Sequence, residues 1–406
     1  MIRRGRCSSR RADAFTPTKV LAVNAAEALP AALDLAGYRQ ALIVVKAHGA
    51  PVGCLRLACP DGRIALETLR EAIAADPEIN RRLRRAILMR WLMQRQPEAD
   101  MRRLSWSVII CTRDRTEALA KCLDAVVAAR VGEGEILVVD NDPSDELTRQ
   151  LAVRYPVRYI REPRRGLNWA RAAGAAAARG EILLYTDDDV VVDSGWISGV
   201  LSAFVSPRVG AVTGLTLPYE LETPAQELFE FYGGHRRGFE RRVFDDTVIP
   251  APAAGLVGNG ANMAIRRDLA LTLGLFDCEM DVGTVTRSGG DTYAFYRLLA
   301  GGYRIVYTPE ALVWHRHRRD DAALRTMLYG YSVGVFTFLA RVLLQHRDLQ
   351  ALDVGMAWFL KQHVKQALLA LLRRPDALPG DLVAAEWRGA FAAPWAYLAS
   401  MRQEAS

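Results

Sequence analysis

The chain has 406 residues, 50% of them hydrophobic and 24% charged, with a formal net charge of +7. That length predicts two or three domains around a sizeable core, and the composition excludes a fibrous or low-complexity chain. No run of 18 or more uncharged apolar residues occurs, so no spanning helix is expected.

The basic start, MIRRGRCSSRRADAF, is not followed by the apolar stretch of a secretory signal and reads as a disordered tail. The charge is unevenly placed: residues 1–104 hold 19 Lys and Arg against 10 Asp and Glu, which leaves the remaining 302 residues slightly acidic. An acidic partner or a membrane surface would suit that basic end, and nothing in the sequence calls for a nucleic acid. Cys7, Cys54, Cys59, Cys111, Cys122 and Cys278 form no CxxC pair. Neither a zinc site nor a disulfide framework is expected, and the thiols read as reduced.

Residues 19–70 alternate short apolar runs, ALIVV and VGCLRL, with the turn-like HGAP and PDGR, which predicts a small strand-containing module. A helix is expected over 71–95, where Ile79, Leu83, Ile87 and Trp91 recur every fourth residue between arginines. QPEADMRR then reads as a linker. From Ser105 the rhythm changes to SVIICT, TEALAKCLDAVVAAR, EILVVD, LTRQLAVRY, VRYIRE, GLNWARAAGAAAARG and EILLYTD, strands and helices in alternation. This is the pattern of an α/β fold with a mostly parallel sheet flanked by helices, whose ligands bind beyond the carboxyl ends of the strands. Those ends carry Thr112–Arg113, Asp140–Asn141 and Asp187–Asp189. The expected organisation is a small N-terminal α+β module with linker (1–104), a catalytic domain (105–320) and a helical C-terminal region (321–406).

Three adjacent carboxylates at a strand end repel one another, and a hard divalent cation removes that repulsion. Magnesium or manganese held there would stabilise a departing diphosphate.

SVIICTRDR, EILVVDNDPSD, GLNWARAAG, LLYTDDDV and GNGANMAIRR, in this order and spacing, resemble the family 2 glycosyltransferases of the GT-A fold over about residues 105–320. The resemblance implies transfer of a sugar from a nucleotide-diphosphate sugar to an acceptor hydroxyl. TDDDV corresponds to the DxD motif, so Asp187 and Asp189 would hold Mg²⁺ or Mn²⁺ and Asp187 and Asp188 the sugar nucleotide. Thr112 and Arg113 would lie beside the nucleotide, Asp140 would accept a hydrogen bond from its base, and Gly166 and Arg171 would line its pocket. The family's general base comes from a Glu-Asp pair at a helix start. Here the pair is Gly290–Asp291, so the base falls to Asp291 and inversion at the anomeric carbon is implied. In VWHRHRRD, His315 is the candidate third metal ligand, His317 shares its side if extended, and Arg316, Arg318 and Arg319 could meet diphosphate charge. Asn259 and Asn262 could hydrogen-bond sugar hydroxyls. Residues 217–242 are the expected acceptor segment, with Trp196, Phe231 and Tyr232 available for stacking.

Two other enzyme classes and a binding protein compete with this reading. A sugar-phosphate nucleotidyltransferase shares the α/β layout and metal, but its Gly-rich phosphate loop is missing from the first strand. An NAD-dependent oxidoreductase lacks its GxGxxG. A non-catalytic sugar-nucleotide binder would account for the lost acid at Gly290 but not for the intact aspartate run. The partners expected are a nucleotide sugar and a carbohydrate, lipid-linked or other hydroxyl acceptor. The expected location is cytoplasmic, with docking to an anionic membrane through the helix at 79–92 or the region 327–372.

Overall fold

The computed structural model describes residues 15–93, 104–232, 234–374 and 377–404. The basic tail and the linker read from the sequence lie outside the described residues.

The N-terminal module consists of β1 (Thr18–Asn24), β2 (Ala32–Asp34), β3 (Gln40–Ala47), β4 (Ala50–Ala58), β5 (Arg63–Ala65), α1 (Leu66–Ala75) and α2 (Pro77–Met93). β3 and β4 form a hairpin whose two loop residues, His48 and Gly49, both have positive φ, as a tight primed turn requires. The single helix expected over 71–95 is two helices. Asp76 interrupts it, accepting the backbone N–H groups of Glu78 and Ile79, and Pro77 opens the second helix where its missing N–H costs nothing.

The central domain contributes β6 (Trp106–Thr112), α3 (Thr116–Ala128), β7 (Gly134–Asn141), α4 (Leu147–Ala152), β8 (Arg158–Glu162), α5 (Leu167–Ala177), β9 (Ile182–Asp187), β10 (Val190–Val192), α6 (Trp196–Leu201) and β11 (Val209–Pro218). It continues with α7 (Pro224–Tyr232), β12 (Arg242–Phe244), a 3₁₀ turn (Ala251–Leu256), β13 (Asn262–Arg266), α8 (Arg267–Thr272), α9 (Gly290–Ala300) and β14 (Arg304–His315). One sheet runs β10-β14-β11-β13-β9-β6-β7-β8, with β12 on β14. β8, β7, β6 and β9 are parallel, and β13 is antiparallel to both its neighbours.

Every residue of β6 is buried, as a central parallel strand covered on both faces requires. Its alternation divides the core. Val108 and Ile110 pack with Leu119, Leu123 and Val126 of α3, whereas Ile109 and Cys111 pack on the opposite face with Ala170 and Ala175 of α5 and the tyrosines of α9.

Four helices close the chain: α10 (Asp321–Gln345), α11 (Gln350–Trp358), α12 (Lys365–Leu371) and α13 (Gly380–Glu404), with a π turn (Phe359–Val364) joining α11 to α12. Against the expectation of no spanning helix, α10 is long and apolar enough to cross a membrane by length and composition. It is largely a core element, however: Leu324, Leu328, Val333, Phe338, Leu339 and Val342 are buried. The N-terminal module sits against the expected acceptor segment. Thr18 N–H donates to Leu221 O at 2.9 Å, Arg56 pairs with Glu227 at 2.7 Å, and Lys46 is ion-paired with Asp193.

Candidate active site

The chain lays β7 and β8 to one side of β6 and then crosses to place β9 on its other side. Between β6 and β9 the winding reverses, and such a switch point opens a crevice beyond the carboxyl ends of the two strands. Thr112 ends β6, Asp187 ends β9 in register with Cys111, and Asp188 and Asp189 follow.

The three aspartates have different surroundings. Asp188 is buried and accepts from the Thr112 hydroxyl (2.8 Å) and from Arg115 Nη1 (3.0 Å), so each of its oxygens already has a protein donor. Arg115 also reaches Asp189 Oδ2 at 3.2 Å. The Asp187 carboxylate makes no hydrogen bond or ion pair among the described residues. Burial, reinforced by the charge of Asp189, pushes its pKa up to about 7. Burial acts on Asp189 in the same direction but is outweighed by His315, Arg115 and Arg318, which leave it below the usual carboxylate range.

His315, at the end of β14, joins them: ligating atoms of Asp187, Asp189 and His315 all lie within 4.8 Å of one another. Burial lowers the His315 pKa to about 4, so the ring is neutral at physiological pH. His317 does not face the cluster. Its Nε2 lies 2.9 Å from Glu230 Oε1 in the protein interior, and its Nδ1 lies 3.1 Å from Nδ1 of His315. The two Nδ1 atoms face each other, which leaves His315 Nε2 on the Asp189 side, 3.5 Å from Asp189 Oδ1. Two carboxylates and a neutral imidazole, one carboxylate without any protein partner, suit a hard or borderline divalent cation.

At the end of β7, Asp140 is fully buried and accepts from the Tyr159 hydroxyl at 2.8 Å, while its Oδ1 has no partner among the described residues. An unpaired buried carboxylate oxygen is costly, and an incoming N–H would satisfy it. Arg113 turns away from the aspartate run and pairs with Asp142 at 3.1 Å. Gly166 has φ +141°, a conformation that favours glycine, and its N–H donates to Asn141 Oδ1 at 2.9 Å.

Arg171 is buried beside the aspartate run and is ion-paired with Asp281 at 2.6 Å. Burial opposes its charge, but Asp281, Asp187 and Asp291 together raise its pKa, so the guanidinium stays ionised. Asp291, in the first turn of α9, accepts Gly260 N–H at 2.6 Å with Oδ2 and Thr292 N–H at 2.7 Å with Oδ1. Gly260 must be glycine, because a Cβ there would strike the Arg171 guanidinium. The departure at Gly290 has a local cause. A Cβ at 290 would collide with Asn168 Nδ2 and lie 2.6 Å from the Asp281 carboxylate, so Asp281 occupies the space into which an acid at 290 would project.

Sequence reasoning missed Asp281, Arg115, Glu230 and Arg237. Arg237 is half-buried and donates to Gly255 O at 3.4 Å, while its Nε has no partner among the described residues. Desolvation lowers its pKa against the opposing pull of Tyr307, Asp291 and Tyr331. A half-buried arginine with a spare donor near a carboxylate fits an anionic ligand.

Other expectations are corrected. Asn262 does not offer its side chain to a sugar: it accepts from Trp196 Nε1 (2.9 Å) and donates to Leu215 O and Ala311 O (3.1 and 2.8 Å), so its hydrogen bonds are used inside the fold. Trp196 is buried in the core, and the Tyr232 hydroxyl donates to Glu386 of α13. Asn259 keeps a partnerless Oδ1. Of the three arginines after β14, Arg318 lies 3.7 Å from Asp189, whereas Arg316 and Arg319 pair with Glu220, Arg319 also with Glu222.

A doubly wound sheet with clustered carboxylates at its switch point, and a buried aspartate on the neighbouring strand β7, is the architecture in which α/β enzymes hold their ligands. Residues 107–270 match the model of the family described as "Glycosyl transferase family 2". That match spans the segment from β6 to α8, which has the character of a family 2 glycosyltransferase domain. The chain is 24% identical over 57% of its length, and 77% of the relative's, to a glucosyl-dolichyl phosphate glucuronosyltransferase of Haloferax volcanii. It is 26% identical over 77% of its length to a pre-mycofactocin glycosyltransferase of Mycobacterium tuberculosis, of which it spans 63%. A solved mannosyltransferase from Pyrobaculum calidifontis, in complex with GDP-Man and Mn²⁺, aligns with 78% of this chain and 80% of its own at a TM-score of 0.46 and 16% identity.

Proposed function

We propose that the protein moves a sugar from a nucleotide-diphosphate sugar to an acceptor hydroxyl with inversion, using a divalent cation and Asp291 as general base. The observation that carries this reading is the convergence of Asp187, Asp189 and His315 at the switch point, with Asp291 anchored nearby on Gly260 and Arg171 between them. Asp140 Oδ1 takes an N–H of the nucleotide base. Asp187, Asp189 and His315 would hold the cation, which would supply positive charge against the departing diphosphate. Arg115 keeps Asp188 and Asp189 in place, and Arg237 and Arg318 are the nearby donors for the anionic part of the donor. Asp291 removes the acceptor's proton as the acceptor oxygen bonds to the anomeric carbon and the diphosphate leaves with the electron pair of the broken C–O bond. One base and no second carboxylate assigned as nucleophile imply a single displacement.

The expected acceptor is carbohydrate or lipid-linked, in keeping with the dolichyl phosphate acceptor in the Haloferax relative's name. Peripheral docking from the cytoplasmic face fits two surfaces. On α2, Ile87, Leu88, Met89 and Trp91 are exposed near Arg84, Arg85 and Arg90. Within residues 327–372 the exposed apolar side chains lie mainly on the α11–α12 half, at Leu352, Met356, Trp358, Leu360 and Leu368 beside Lys361 and Lys365, while Leu328, Val333, Phe338, Leu339 and Val342 of α10 are buried. Sedimentation with anionic vesicles at low salt, and release as salt rises, is the expected behaviour.

The test is incubation of purified protein with a panel of nucleotide sugars, with Mn²⁺ or with excess chelator. Metal-dependent release of nucleoside diphosphate is expected. Release of pyrophosphate or nucleotidyl transfer instead would make the protein a nucleotidyltransferase, and donor binding with no turnover would make it a binding protein.

A further inference from the structure

Away from the crevice, a cavity of about 270 Å³ lies between α10, α13 and the segment leading into α9, lined by Arg287, Arg325, Thr326, Tyr329, Ala385 and Arg388. Three guanidinium groups converge on it. Arg325 donates twice to Asp381, at 3.1 and 2.6 Å. Arg388 donates only its Nε, to Ala384 O at 3.3 Å, and Arg287 lies over the Tyr329 ring at 5.1 Å. Neither Arg287 nor Arg388 has a carboxylate partner among the described residues. Arg287 also has φ +65°, a conformation that a side chain of its size rarely adopts. Three positive charges around a small hollow, with one carboxylate between them, select a multiply charged anion, and the planar guanidinium fork matches phosphate oxygens. The volume is below that of a pocket for a whole nucleotide-sized ligand.

The cavity is tied to the active site. Ser288 donates its hydroxyl to Gly330 O at 3.0 Å, and Gly334 packs so closely on Ser288 that a Cβ would collide with it. Asp291 follows Arg287 by four residues, so their backbones are no more than about 14 Å apart. We propose that this cavity is a phosphate-binding subsite, which seats a phosphate group carried by the acceptor while the acceptor's hydroxyl reaches Asp291. The acceptor role, though not the anion site itself, rests on the glycosyl-transfer reading.

The test compares wild type with Arg287→Ala/Arg388→Ala and with Arg287→Lys/Arg388→Lys. Inorganic phosphate, titrated by calorimetry, is expected to bind the alanine variant at least tenfold more weakly and the lysine variant within about threefold of wild type. Equal binding by all three overturns the proposal. Arg287→Gln, at an exposed position, replaces the double variant if that one fails to fold, with a loss of threefold or more expected and no loss again overturning the proposal. Farnesyl phosphate, but not farnesol, is expected to displace inorganic phosphate from wild type. If the two arginines govern sedimentation with phosphatidylglycerol vesicles and not binding of farnesyl phosphate, the cavity reads a membrane headgroup and the acceptor role is overturned. Metal-dependent release of nucleoside diphosphate from the donor by wild type, measured without acceptor, tests the glycosyl-transfer reading by itself. Its absence from wild type would remove the glycosyl-transfer reading while leaving phosphate binding to be judged separately.

Discussion

Asp187, half-buried, and Asp281, buried, are carboxylates facing Arg171, and their charges are balanced by different means. Asp281 is satisfied within the chain: it pairs with Arg171 at 2.6 Å and accepts Val282 N–H at 2.9 Å, and its own N–H donates to Thr286 Oγ1 at 2.9 Å, which holds the backbone at φ +90°. Asp187 has no such partner among the described residues and stands beside a second carboxylate. The difference separates a part of the site that is complete in the folded chain from a part that the proposed cation would complete.

The largest effect expected from breaking this contrast is on the incomplete side. Asp187→Ala and Asp189→Ala should each lower transfer by about 10³-fold or more, the scale of losing metal stabilisation of a leaving diphosphate. Mn²⁺ binding, followed by calorimetry, should fall with it. Wild-type activity in excess chelator would contradict the metal role.

On the complete side the expected loss is of stability. Asp281→Ala leaves the Arg171 charge buried and unpaired, which costs about 3–5 kcal/mol and should appear as a lower denaturation midpoint with or without metal. Gly290→Glu should not substitute for it while Asp281 remains, because the two side chains claim one space.

Asp291→Asn should reduce transfer by about 10²-fold while nucleotide-sugar binding stays near wild type, since the amide oxygen keeps one of the two backbone contacts but the side chain cannot take a proton. Equal loss of binding and turnover would mark Asp291 as structural.

The smallest effect concerns pH. A carboxyl with a raised folded-state pKa binds more protons folded than unfolded between about pH 4 and 7, so metal-free protein should lose stability as pH rises through that window. Asp187→Asn should remove this slope and raise the melting temperature of metal-free protein at pH 8, by about 2–4 °C per kcal/mol relieved. Mn²⁺ should reverse the trend, protecting wild type more as pH rises, because its ligands must be deprotonated.

How much of this was legible in the sequence depends on the range of the signal. The strands β6, β7 and β9 were readable because a parallel strand buried on both faces must be a continuous apolar run. Their ends were readable as ligand positions because a doubly wound sheet gathers them in one crevice, and there Thr112, Asp187, Asp189 and Asp140 stand. His315, much further along the chain, was readable only through the family resemblance, and the structure brings it to Asp187 and Asp189.

The sequence by itself thus determined the parallel half of the sheet, β6 to β9, and the carboxylates at its strand ends, because those follow from local periodicity and strand polarity. Tertiary structure alone decided which charges meet. Arg115 reaches Asp188 across 73 residues and Arg171 reaches Asp281 across 110, both through loops that carry no periodic signal. It also decided that most of α10 is core while the equally apolar α11–α12 stretch is exposed, and that Asn262 holds the core together. The physical reason is that apolar composition measures how much burial a segment favours, whereas the face it buries is set by neighbours distant in sequence.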